Sequence, residues 1–128
     1  MMRDLETRAD IEAVLTEFYA AAFADDRIGR FFTEVVPLDL AAHLPHIADF
    51  WESVVLGGPH YAKNVMAVHQ QIHNLSPIQK EHLDRWVELF TATVAVHFEG
   101  PKATLMQQRA RSVATLMDIK LNHPPKSL

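Results

Sequence analysis

An all-α fold is what this sequence predicts. Apolar residues recur at helical spacing in run after run, and no stretch shows the apolar-polar alternation of a half-buried strand. Helix starts and stops punctuate those runs, with no internal repeat or low-complexity segment between them. The expected helices differ in length and the loops are uneven. That pattern suits an irregular helical sandwich better than an up-down four-helix bundle.

Thr7-Arg8-Ala9-Asp10 reads as a capping box, and Ile11, Val14, Leu15, Phe18 and Ala22 follow at helical spacing. These predict a first helix over residues 8–24, broken by Asp25-Asp26 and Gly29, with Phe31-Phe32 on a short turn or half-helix. Pro37 and Asp39 announce a second helix with the stripe Leu40, Leu44, Ile47, Trp51, Val54 and Val55. Pro45 disfavours helix at Leu44, which moves the expected start to near His43. Gly57-Gly58-Pro59 ends it, and a loop is expected over 57–64. Asn64 caps a short third helix through Val65, Met66, Val68, His69 and Ile72. Ser76-Pro77-Ile78-Gln79 predicts the next start, with Ser76 as N-cap. Leu83, Trp86, Val87, Phe90, Val94 and Phe98 form its stripe. Gly100-Pro101 opens a last helix lined by Ala103, Met106, Ala110, Val113, Met117 and Leu121.

The 128 residues are enough for one domain, expected over 1–128 with frayed tails at 1–6 and 122–128. A hydrophobic share of 48% supports a sizeable core. The net charge of -4 and the lack of a basic stripe argue against nucleic acid as a partner. No cysteine is present, which excludes disulfides, thiolate catalysis and sulfur-ligated metals. No stretch approaches the roughly 20 apolar residues of a membrane helix. The N-terminal Met1-Met2-Arg3-Asp4-Leu5-Glu6 has no apolar run behind its charge, so the expected location is the cytoplasm.

Eight histidines draw attention, since histidine is the commonest metal ligand. His69 stands among Val65, Met66, Val68 and Ile72. Its ring nitrogens need partners there, either a backbone carbonyl or a metal. His69 and His73, spaced i,i+4, share a helix face as zinc ligands do, yet no third ligand is evident and a surface pair explains them as well. The same holds for His43 and His46. Tyr19, beside the first apolar stripe, reads as a core tyrosine with its hydroxyl outward. Trp86 reads as a core indole whose N–H is paired.

The ordered combination is more specific. Phe18-Tyr19, the run Asp26-Arg27-Ile28-Gly29-Arg30-Phe31-Phe32, and His43 with Ile47 and Phe50-Trp51 resemble a truncated haemoglobin of the bacterial group III type. So do Leu56-Gly57, Tyr61, His69 and the run from His82 to Phe90. The resemblance spans Thr7 to Gly100, and the last helix fits in periodicity. Lys63 and Val65 stand where the family often carries Gly and Pro.

That resemblance implies a globin-like two-over-two helical sandwich around haem b, with His69 as the proximal iron ligand. Phe32 would pack on the macrocycle edge, and Ile47, Phe50, Trp51, Leu75 and Phe90 would line the pocket. His46, Lys63 and Arg85 would meet the propionates, with Tyr61 as a hydroxyl donor. Tyr19, His43 and Trp86 would form the distal side, where donors stabilise a ligand carrying partial negative charge. Three functions follow in order. The first is reversible binding of O2 and other diatomic ligands such as CO and NO. The second is a haem enzyme performing nitric oxide dioxygenation or peroxidase chemistry on peroxide, served by an electron-donating reductase. The third is a haem-free helical protein in which these residues only pack.

Overall fold

Thr7 sets the start of helix α1, Arg8–Ala24. Its hydroxyl accepts from the Asp10 N–H while the Asp10 carboxylate accepts from the Thr7 N–H. The buried stripe is Ile11, Val14, Leu15, Phe18 and Ala22, one face of the helix as the spacing requires. The computed structural model describes residues 2–58 and 65–123. The cap expected of Asn64 lies outside them, as does most of the expected 57–64 loop.

Four further helices follow: α2 Leu40–Val55, α3 Val65–Leu75, α4 Lys80–His97 and α5 Pro101–Asn122. Phe31-Phe32 open a short π-helical turn, Phe31–Val35. No strand occurs among the described residues, and no helix there is long and apolar enough to cross a membrane. The pairs α1–α2 and α4–α5 pack against each other through α1–α4 and α2–α5 contacts. This is a two-over-two sandwich. Ala103, Ala110 and Ala114 keep the buried face of α5 thin, which permits close packing of its neighbours. Between the layers lie Ile11, Val14, Leu15, Phe18, Phe90, Val94 and Met106, all fully buried. Helix α3 stands apart, packing on α5 and on the π-helical turn.

Three expectations change. Helix α2 begins at Leu40, not near His43, because Asp39 caps it and accepts from Ala42 and His43. The hydrogen bond that Pro45 cannot make is lost on a solvent-facing side, since Ala41 and Pro45 are both exposed and water can serve the Ala41 carbonyl. Helix α4 begins at Lys80 with Gln79 as N-cap, three residues after the expected Ser76. The Ile78 N–H donates to His73 Nδ1 at 2.8 Å, and the Ile78 carbonyl accepts from Asn122 at 3.1 Å. Both backbone groups of Ile78 are thereby taken by other helices, so the segment stays extended. The N-terminal residues 2–6, expected to fray, are tied down. Leu5 is 1% exposed, and Arg3 grips Asp10 through hydrogen bonds of 2.9 and 2.6 Å. Asn122 likewise belongs to α5 and does not fray.

Candidate functional site

Phe18 is the hub of the site. It points from α1 into the core, and three aromatic rings meet it edge-on: Tyr19 at 4.9 Å, Phe90 at 5.1 Å and Trp86 at 6.0 Å between centroids. Such T-shaped contacts set a positive ring edge against a negative ring face. Trp86 in turn stacks on Phe90 at 5.2 Å, Phe90 on Trp51 at 4.8 Å, and Trp51 meets Phe50 at 5.2 Å. At the other end Tyr19 meets Phe32 at 5.7 Å, and Phe32 stacks on Phe23 at 5.3 Å. One continuous aromatic wall thus joins α1, the π-helical turn, α2 and α4. It brings together six residues singled out in the sequence: Tyr19, Phe32, Phe50, Trp51, Trp86 and Phe90.

Parts of that wall are only half-covered by protein. Tyr19, Phe32, Ile47, Phe50 and Trp86 pack against the core without being sealed into it, and Leu44 and Val54 extend the same partly covered face along α2. On α3, Met66 and Ile72 are likewise half-buried, while Val68 and Leu75 are 54% and 69% exposed. Apolar surface left in this state is what an apolar ligand would cover.

Two polar groups stand out against the wall. Among the described residues, neither the Tyr19 hydroxyl nor the Trp86 indole N–H has a hydrogen-bond partner, and neither atom is sealed off from water-sized space. Tyr19 lies deep enough that burial pushes its phenol well above its ordinary value of 10, so it remains a neutral O–H donor. The expectation that the indole N–H is paired within the protein therefore does not hold. Both polar atoms are instead accessible to a small molecule such as water.

The histidines separate. His69 is half-buried on α3. His73, one turn further, spends Nδ1 on the Ile78 N–H. That bond fixes the junction between α3 and α4. His43 and His46 are exposed near the head of α2. Among the described residues no three histidine, aspartate or glutamate side chains cluster as a metal site would need. Tyr61 and Lys63 lie outside the described residues. Arg85 is engaged elsewhere: its Nε donates to Asp25 at 2.8 Å and its Nη1 to Glu88 at 2.9 Å.

Sequence reasoning passed over two members of this site. Phe23 falls off the buried stripe of α1, yet it backs Phe32. Its i,i+4 spacing from Tyr19 was the available signal, and the two rings do meet, at 6.5 Å. Asp25 reads in the sequence as a helix breaker, yet it also reaches Arg85 on α4.

Comparison with known proteins bears on this geometry. No curated protein sequence matches the chain. Among solved structures, the chain is similar to the group III truncated hemoglobin from Campylobacter jejuni, at 21% sequence identity. The match has a TM-score of 0.81 and covers 99% of this chain and 100% of that one, so the folds agree. The family model for bacterial-like globins matches residues 4–120, nearly the whole sequence. The chain belongs to the bacterial-like globin family.

Proposed function

We propose that the chain holds haem b through His69 and binds O2, and other diatomic ligands such as CO and NO, beneath Tyr19 and Trp86. The observation that supports this most is the pair of accessible donors on one aromatic wall, contributed by different helices and each in ring contact with Phe18. Both polar atoms remain accessible at the edge of an apolar wall, where a small ligand could accept from them.

The residues fit the group. A flat apolar macrocycle needs a wall of rings and aliphatic side chains, and Phe32, Ile47, Phe50, Trp51 and Phe90 supply one. Helices α2 and α3 are not main packing partners of each other, and each keeps a partly covered apolar face. His69 offers an imidazole nitrogen from α3, with Met66 and Ile72 within one turn on its face. When bound, haem would be held by His69 and would supply an iron that takes a small diatomic ligand.

The chain's own groups would then divide the work. The Tyr19 O–H and the Trp86 N–H donate hydrogen bonds to the ligand, and the indole can only donate. His43, exposed near the head of α2, would gate ligand access in this reading. Lys63, Tyr61 and His46 are retained as polar contacts at the pocket mouth, and Leu75 as an apolar cover. Arg85 is not retained in that role, since Asp25 and Glu88 hold its guanidinium. An electron-donating reductase belongs to the alternative reading as a haem enzyme, since reversible ligand binding consumes no electrons.

The test is an absorption spectrum of the purified protein in ferric, ferrous and CO-bound forms, with His69→Ala beside it. An intense Soret band is expected in the natural chain. His69→Ala should carry little haem, or haem restored by added imidazole. Full haem content with an unchanged ferrous spectrum in His69→Ala would overturn the ligand assignment.

A further inference from the structure

Helices α1 and α4 run antiparallel, and two polar ties join them. One is Glu17 with His97, both exposed. The other is Asp25 with Arg85, whose carboxylate is only 7% exposed and whose guanidinium is 30% exposed. Tyr19 lies between Glu17 and Asp25 along α1, and Trp86 directly follows Arg85 on α4.

The buried tie is the better built. Asp25 is the C-cap of α1. Its Oδ1 accepts from the Arg27 and Ile28 N–H groups at 2.9 and 3.2 Å, closing the turn that leaves the helix. Its Oδ2 is left for the Arg85 Nε at 2.8 Å. Burial raises the Asp25 carboxyl, but Arg85 and the two backbone donors outweigh it and hold the group below its ordinary value. Glu88, one turn along α4, braces the same guanidinium from the solvent side. Neither Tyr19 nor Trp86 has a hydrogen bond of its own to fix it. Their spacing therefore depends on how the two helices are held.

We propose that Asp25 and Arg85 are positioning residues: their ion pair sets the α1–α4 register that aims the Tyr19 hydroxyl and the Trp86 N–H at one ligand. This rests on the reading of those two donors as the distal side. Hydrogen bonds weaken steeply with distance and angle, so a small slip between the helices would weaken donation from both. The two donors would lose strength together without either being removed.

The experiment uses full-length, haem-loaded protein and the infrared C–O stretching band of its CO form, a probe of nearby donors, with stopped-flow O2 release alongside. Asp25→Asn keeps an acceptor oxygen for Arg27 and Ile28 but faces Arg85 with a donor. Arg85→Gln cuts the same pair and leaves the turn untouched. Both should move the C–O band to higher frequency and speed O2 release about three- to tenfold, with haem content unchanged. The double variant should shift no further than either single one, since both break one interaction. Arg85→Lys, which keeps the charge, should restore part of the shift. If Asp25→Asn fails to fold, Arg85→Gln carries the test. An unmoved band in Arg85→Gln, while Tyr19→Phe and Trp86→Phe do move it, would overturn the clamp alone. An equal shift from Glu17→Gln would overturn its assignment to this pair. Unmoved bands in Tyr19→Phe and Trp86→Phe would bring down the distal reading, and the clamp with it.

Discussion

At the scale of single residues, the distal donors and the buried carboxylates make the sharpest predictions. A hydrogen bond to a partly charged acceptor contributes about 1.5–3 kcal/mol. Removing one donor by Tyr19→Phe or Trp86→Phe should therefore speed O2 release by about ten- to a hundredfold. CO is less polar when bound, and its release should change much less. Stopped-flow measurements on both gases check this, because equal acceleration would mean the side chains act through size. Asp10 makes a prediction about stability. The Arg3 guanidinium holds its carboxyl far below the usual 3.8, burial opposes that, and the Glu6 and Thr7 N–H groups add to it. The unfolded chain takes up a proton near the ordinary value, while the folded chain refuses it until much lower pH. The stabilisation is thus complete above about pH 5 and disappears as pH falls toward the folded value. Urea titrations of Asp10→Asn should show a loss of about 1–3 kcal/mol at neutral pH and a flatter acid limb. An acid limb as steep as that of the natural chain would contradict the assignment.

At the scale of elements, the start of α5 is capped from outside the helix. Asp4 lies near the chain start, yet its carboxylate accepts from the Lys102 and Ala103 N–H groups at 2.9 and 2.8 Å. These are the second and third residues of α5, donors that no helical carbonyl can serve. Gly100 makes this approach feasible. Its φ of 146° suits glycine, and a Cβ there would stand 2.5 Å from the Asp4 Cγ. Asp4→Ala should cost about 1–2 kcal/mol, the worth of a lost N-cap. Gly100→Ala should cost more, since it adds backbone strain to the displaced cap. The reverse order in urea titration would show that the contact is incidental. Asp4 also explains why the first residues are ordered: an N-terminal strap closes over α5 before α1 begins.

For the whole molecule, the layers are unequally bound. The pairs α1–α2 and α4–α5 share the buried core, whereas α3 leans on α5 and the π-helical turn and leaves Val68 and Leu75 exposed. Local opening free energies follow such differences in buried contact. A ligand that binds only the folded state stabilises what it touches. Adding haem should therefore slow amide hydrogen exchange across 65–75 far more than in the middle of α5. Uniform slowing across all helices would show that α3 is not the element that haem organises.

Much of this fold is legible in the order of the residues. The expected first helix, residues 8–24, matches Arg8–Ala24, because the Thr7 cap, the apolar stripe and Asp25 act on near neighbours. The apolar setting of Tyr19, Trp86 and Phe90 is legible for the same reason. The start of α4 is not, since the Ser76 signal is outweighed when His73 and Asn122 take the backbone of Ile78. The ion pair of Arg85 is not legible in the sequence because its partner, Asp25, lies 60 residues away along the chain. Caps and periodicity depend on residues within one or two turns, so the sequence alone determined the helices and their apolar faces. Which donor goes unpaired, and which cation is already taken, depends on helices that meet only after packing, and those the tertiary structure decided.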